Sequence, residues 1–145
     1  MYLCYTNSGT GGAGAVYNNT VTNNQRSGVG TQSATSYLYC LYCTGSTAYS
    51  IHDNTVSGNT VPAQGSSYAA YIYGIYASNS AVSQTIYNNS VHDQTITSAY
   101  TSGHGIYGIY SFPAAASAGN NIYNNNVYNL TINSTSTGYG YIYGC

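Results

Sequence analysis

The chain carries one segment in four near-copies, and that repetition limits its fold more than any single residue does. Copies of the phrase Ile-Tyr-Asn-Asn begin at Val16 (VYNNTV), Ile51 (IHDNTV), Ile86 (IYNNSV) and Ile122 (IYNNNV), so the steps are 35, 35 and 36 residues. A second phrase keeps time with it: YLYCLYC at Tyr37–Cys43, YIYGIYA at Tyr71–Ala77, GIYGIYS at Gly105–Ser111 and YIYGC at Tyr141–Cys145. A fixed period of this size marks a solenoid, a propeller or an array, in which each unit buries its apolar face only against its neighbours. The repeats are 16–50, 51–85, 86–121 and 122–145, with 1–15 as a partial first unit of one domain spanning 1–145.

Strands are expected in every unit. The chain is rich in Gly, Asn, Ser, Thr, Tyr and Val and has neither Glu nor Lys, which disfavours helix and suits short β runs broken by turn residues. Superposing the repeats gives five aliphatic columns, largely β-branched as an interior wall of strands should be. They are Leu38/Ile72/Ile106/Ile142, Leu41/Ile75/Ile109/Cys145, Val16/Ile51/Ile86/Ile122, Val21/Val56/Val91/Val127 and Val61/Ile96/Ile132. Between the third and fourth runs an unbroken asparagine column, Asn19, Asn54, Asn89 and Asn125, with Asn18/Asp53/Asn88/Asn124 beside it. Asparagine tolerates the left-handed backbone of a tight turn, and its amide can bond the amide on the next repeat. The column is therefore expected to be a structural ladder.

These inward columns and the asparagine turn resemble the right-handed parallel β-helix repeat family, over about Val16 to Cys145. The resemblance implies an all-β β-solenoid of about four coils, one coil per 35- or 36-residue repeat. Residues in excess of a minimal rung would lie in loops near Asn24–Ser36, Pro62–Ala70, Ser98–His104 and Phe112–Asn121. The Tyr-Gly-Ile-Tyr phrases also look like tandem segments of large secreted surface proteins of bacteria, which implies an extracellular or cell-surface location. A four-bladed propeller is the alternative fold, but each blade would need four strands.

Only 2% of the residues are charged: Arg26 is the one Lys or Arg, and Asp53 and Asp93 are the only acids. A typical domain has about 25%. Phosphate neutralisation needs clustered cations, so nucleic acid is excluded as a partner. No apolar run is long enough to insert in a membrane. The first residues lack the regions of a signal peptide, so export information has been removed or the chain is a segment of something longer. Near-zero net charge favours association. The 20 tyrosines, against no Trp and one Phe, fit a strand face that is half packed and half wet. Dityrosine cross-linking and electron hopping are the lesser alternatives.

Parallel β-helices include polysaccharide lyases and hydrolases, whose chemistry takes paired carboxylates or an acid cluster holding calcium. Asp53 and Asp93 fall at unrelated positions of the repeat, so no catalytic site, metal or cofactor is expected. His52–Asp53 and His92–Asp93 are adjacent in sequence, and neighbours on a strand point to opposite faces, so these pairs are expected not to touch. His52 takes the tyrosine position of its repeat and is expected outward; His104 is expected in a loop. Thr60, Thr95 and Thr131 align as an ice-binding rank would, but the flanking ranks (Pro62, Thr97, Asn133; and Thr22, Ser57, His92, Tyr128) change residue type at each repeat.

Cys40 and Cys43 form a C-x-x-C within a β run and are expected to pack inward as small apolar groups. Cys4 aligns one repeat before Leu41 and Cys145 falls in the same column, which makes them candidates for an inter-subunit disulfide. N-glycosylation sequons occur at Asn18, Asn88, Asn129 and Asn133. Neither the opening MYLCY nor the closing YIYGC contains a charged or polar cap, and uncapped strand edges recruit further strands. The leading expectation is a structural protein that stacks head to tail with copies of itself into a fibre or surface layer. The alternative is a carbohydrate-binding segment of a larger adhesin.

Overall fold

The computed structural model describes residues 1–8, 14–26, 35–62, 68–79, 83–98, 103–113, 119–134 and 139–145. Strands β1 (Tyr2–Ser8), β2 (Gly14–Tyr17) and β3 (Thr20–Thr22) come first. The next period supplies β4 (Ser36–Gly45), β5 (Tyr49–His52), β6 (Thr55–Ser57) and β7 (Thr60–Val61). Then follow β8 (Ala70–Asn79), β9 (Gln84–Tyr87) and β10 (Ser90–Ser98), and after them β11 (His104–Pro113), β12 (Asn121–Tyr123) and β13 (Asn126–Ser134). Strand β14 (Gly140–Tyr143) begins a further period. The described residues contain no helix.

The protein is all-β, with three parallel sheets. One runs β1-β4-β8-β11-β14, the second β2-β5-β9-β12 and the third β3-β6-β10-β13, with β7 also paired to β10. Every pairing is parallel and joins one period to the next. A propeller blade would instead pair strands within one unit, so that alternative is set aside. The expected loops centre on residues outside the described ones, whereas Ser36, Ala70, His104 and Phe112 lie in strands.

Register follows the columns. Leu38 pairs with Ile72, Ile72 with Ile106 and Ile106 with Ile142. Val16, Ile51, Ile86 and Ile122 pair in turn, as do Val21, Val56, Val91 and Val127. The interior members of these columns are buried and form one core with Leu41, Ile75, Val61 and Ile96. Each such side chain contributes about 1.5–3 kcal/mol on full burial, so the core is a sum over rungs, one rung being one strand from each sheet.

In the first sheet the in–out alternation slips by one residue. Leu38 is inward, Tyr39 outward, Cys40 and Leu41 both inward, Tyr42 outward and Cys43 inward. Glycine stands at the first slipped position in the next two rungs: a Cβ on Gly74 would lie 2.4 Å from Val91 Cγ1 and 2.6 Å from the Gly108 carbonyl oxygen. The slip puts successive outward tyrosines three residues apart instead of two.

Two bends are built on left-handed backbone. Asn18, Asp53, Asn88 and Asn124 have φ of 53–55° between the second and third sheets. A second set, Asn23, Gly58, Asp93 and Asn129, has φ of 52–63° within the third sheet. Asn, Asp and Gly are the residues that enter this region at least cost.

Candidate functional site

The dominant surface feature is a double column of tyrosines on the outer face of the first sheet. Tyr2, Tyr39, Tyr73, Tyr107 and Tyr143 stack with ring centroids 5.0, 4.9, 4.8 and 5.0 Å apart. Beside them Tyr5, Tyr42, Tyr76 and Tyr110 stack at 5.4, 4.8 and 5.1 Å. Within a rung the two columns meet edge to face: Tyr39–Tyr42 at 86°, Tyr73–Tyr76 at 86° and Tyr107–Tyr110 at 85°. Diagonal contacts tie rung to rung, with Tyr39–Tyr76 at 5.2 Å and Tyr73–Tyr110 at 5.5 Å.

This is a herringbone. Planes nearly perpendicular between columns yet stacked within each fit rings that tilt to opposite sides of the column axis, by about 45° each in the three rungs at 85–86°. A tilt of that size brings neighbouring planes to about 3.4 Å, aromatic contact distance, while edge-to-face pairing satisfies the ring quadrupoles. Interior rings are thus covered on both faces and show the solvent their edges and hydroxyls.

Burial raises the Tyr39 phenol to about 12, with the crowding of Tyr76, Tyr2, Tyr37 and Tyr42 adding to the shift. Burial foremost also raises Tyr42, Tyr73, Tyr76 and Tyr107, helped by tyrosine neighbours in each case. A phenolate in such a column would be poorly hydrated and would face other phenolates. Tyr49 departs from the outward pattern. It is buried, and its hydroxyl lies 3.0 Å from the Cys43 carbonyl oxygen and 3.1 Å from that of Ser78.

The asparagine column is hydrogen-bonded as a ladder. Asn19 Nδ2 donates to Asn54 Oδ1, Asn54 Nδ2 to Asn89 Oδ1 and Asn89 Nδ2 to Asn125 Oδ1, each at 2.9 Å. The same oxygens accept the backbone N–H of Asn19, Asn54 and Asn89 at 3.0–3.1 Å. The left-handed residues are their neighbours, so the turn and the ladder are adjacent columns with separate duties. A second amide column, not among the expected ones, runs along the third sheet. Asn24 Nδ2 donates to Asn59 Oδ1 at 3.0 Å, and buried Gln94 bonds the carbonyls of Val56 and His92 at 3.0 and 2.8 Å. Its signal in the sequence was Asn24, Asn59 and Gln94 at a spacing of 35, obscured by Leu130 in the fourth place.

The His–Asp pairs correct the expectation drawn from strand alternation. His52 Nδ1 lies 2.7 Å from Asp53 Oδ2, and His92 Nδ1 lies 2.7 Å from Asp93 Oδ2. Both aspartates sit at left-handed bends, where the backbone turns and neighbouring side chains come to the same side. The His52 hydrogen bond holds the Asp53 carboxyl below its ordinary value, with Asn88 assisting; His92 and Asn129 do the same for Asp93. His52 is stacked between Tyr17 and Tyr87 at 5.1 and 4.7 Å, and His92 lies on Tyr128 at 4.7 Å. Asp53 and Asp93 belong to different bends. His104 is also corrected: it opens β11, is buried, and its Nδ1 accepts the Ala70 N–H at 3.1 Å.

Cys40 and Cys43 are buried, and burial raises their thiols to about 12 and about 11. Cys4 is half-buried and Cys145 exposed, and neither is bonded to another cysteine. Cys4, Leu41, Ile75 and Ile109 pair in one column, and the Ile109 N–H donates at 2.9 Å to the carbonyl of Gly144, the residue before Cys145. Of the sequon residues, Asn18, Asn88 and Asn129 are exposed at the bends and Asn133 is exposed on β13. Among the described residues no group of three His, Cys, Asp or Glu is placed to hold a metal ion.

The two end rungs leave interior columns open. Ile106 is 0% exposed, whereas Ile142, the next residue of its column, is 50% exposed. At the other end Leu3, Cys4 and Val21, with Asn19, Thr20, Thr22 and Asn24, line a depression of about 340 Å³. No family model, no curated protein and no solved structure matches the chain.

Proposed function

We propose that the chain is a right-handed parallel β-helix whose copies stack head to tail into a fibre or surface layer outside the cell. Parallel strands joined through other sheets cross over right-handedly in nearly all cases, which supports the handedness. The observation that carries the assembly is the exposure of Ile142 beside the full burial of Ile106 in the same column. A strand of identical pattern laid on β14 would cover that column and pair an edge that has no partner among the described residues. The depression at the first rung offers the complementary seat. Unlike ends that meet without closing a ring give a filament.

In such a stack Cys145 of one copy and Cys4 of the next would share a column on adjacent rungs. Parallel rungs are about 4.8 Å apart, inside the roughly 4.4–6.8 Å that a disulfide allows between Cα atoms. The carbohydrate-binding alternative draws less support from the geometry, because sugar faces pack on open aromatic faces and the herringbone covers them. The likeness to secreted surface repeats, with exposed sequons at Asn18, Asn88, Asn129 and Asn133, supports an extracellular or cell-surface location.

Light scattering and electron microscopy at micromolar concentration, with and without reductant, test the assembly. Particles that lengthen with concentration are expected. A monodisperse monomer under both conditions would remove the proposal.

A further inference from the structure

The tyrosine columns have a property that strand packing alone does not require: nine phenols in unbroken contact from the first rung to the last. Neighbouring centroids lie 4.8–5.4 Å apart along each column, and edge-to-face contacts join the columns at every rung that holds both. Electron transfer between π systems falls off exponentially with distance. Four short steps are therefore far faster than one leap across the stack, which at 4.8 Å per rung is about 19 Å. No Trp interrupts the path, and the buried Cys40 and Cys43 thiols lie on the opposite side of the sheet.

We propose that the two columns form a relay along which a one-electron vacancy, injected by a strong one-electron oxidant, migrates between the end rungs. The oxidant takes one electron from a tyrosine at one end. Each step then moves one electron from the next ring into the vacancy, while the refilled phenol regains a proton and the newly oxidised one releases its own. The net result is one reduced oxidant, one proton in solvent and one tyrosyl radical at the far end.

The ends are where that radical reacts. Interior rings are covered on both faces and held in slip-stacked register by the backbone, so two of them cannot reach the ring-carbon-to-ring-carbon geometry of a dityrosine. Among the described residues Tyr2 and Tyr143 end one column and Tyr5 and Tyr110 the other, each with one face that has no column neighbour, and Tyr2, Tyr5 and Tyr143 are all about half exposed. Two end radicals on different molecules can join ring carbon to ring carbon, each displaced ring hydrogen moving to its phenoxyl oxygen. The relay lies within one chain and does not depend on end-to-end assembly.

The test is made on chains tethered far apart on a surface, so that no copy lies beside another. A ruthenium polypyridyl maleimide is attached to the exposed Cys145 of a Cys4→Ser chain. Light and a sacrificial electron acceptor then generate the Ru(III) oxidant at the last rung. A nitroso spin trap, which adds to ring carbon without further electrons, marks each radical for mass spectrometry. Adducts are expected on Tyr2 and Tyr5 as well as on Tyr141 and Tyr143. In a Tyr71→Phe, Tyr73→Phe, Tyr76→Phe chain, where ring stacking is kept but the middle rung is hard to oxidise, adducts on Tyr2 and Tyr5 should fall to the dark level while those on Tyr143 persist. Equal far-end labelling in both chains, or Tyr143 labelling alone in the intact columns, would overturn the relay. The mirror arrangement keeps all three tyrosines, so its outcome does not hang on the folding of the triple variant. The sensitiser sits on Cys4 of a Cys145→Ser chain; adducts at Tyr143 support the relay, and adducts confined to Tyr2 and Tyr5 overturn it.

Discussion

Asn54 and Asn89 are joined twice: Asn89 Oδ1 accepts both the Asn54 side-chain Nδ2 at 2.9 Å and the Asn54 backbone N–H at 3.1 Å. Asn89 in turn donates to the Ile51 and Tyr87 carbonyls and to Asn125. Removing this amide strands several buried polar groups at once. Asn89→Ala is expected to cost about 3 kcal/mol in denaturant unfolding. Asn125→Ala, at the partly exposed end of the amide column, should cost about 1 kcal/mol. Equal losses at the two sites would contradict a ladder whose strength comes from burial.

Gln84 makes the opposite case. It is fully buried, and neither its Nε2 nor its Oε1 has a hydrogen-bond partner among the described residues. An amide desolvated without compensation opposes folding, so Gln84→Met is expected to raise stability by about 1 kcal/mol. Thermal melts of the two proteins decide the sign.

Gly74 sits where the first sheet slips, and any side chain there meets a backbone carbonyl that cannot move aside. Gly74→Ala should cost about 2–3 kcal/mol. Gly144→Ala, with nothing within 4 Å of its added methyl, should be silent in the same chemical denaturation.

At the first bend the left-handed Asn88 offers a cleaner backbone test. Asn88→Val forces a β-branched residue to φ near 53° and should lose about 1–2 kcal/mol, while Asn88→Gly should fold as well as the parent.

Alkali should unfold the protein through the tyrosine columns. Phenols raised in the folded state stay neutral while an unfolded chain would ionise near its ordinary value of about 10. Their stabilisation is therefore whole below that pH and is lost as pH climbs toward the Tyr39 value of about 12. Tyrosinate absorbance and circular dichroism should change together for the column residues. Ionisation of all 20 tyrosines with the sheet signal intact would show that the rings are not packed as described.

The columns were legible in the sequence because residue type repeats in phase with position, and a core face tolerates only β-branched or similar aliphatic groups. Every predicted aliphatic column that falls in paired strands keeps its expected register, from Val16/Ile51 to Ile96/Ile132. The second amide column was harder to see because Asn59, Gln94 and Leu130 differ in type while holding one place. Strand alternation does not extend to the His52–Asp53 contact, because Asp53 leaves the strand at a left-handed bend. The herringbone was hidden for a related cause: YLYCLYC looks like plain alternation, and only packing reveals that Cys40 and Leu41 both turn inward. Nothing in the sequence around Tyr49 distinguishes a phenol that finds two carbonyls from one that finds water.

The asparagine ladder also has an arrow. Each Nδ2 donates toward the next rung and each Oδ1 accepts from the one before, from Asn19 through Asn125. The column therefore opens on an acceptor and closes on an amide donor, and its dipoles add instead of cancelling. Two copies meeting first rung to first rung would set acceptor against acceptor, whereas first rung to last turns a donor toward an acceptor. A stack grown from this protein would be polar, with two chemically distinct tips and unequal growth at each.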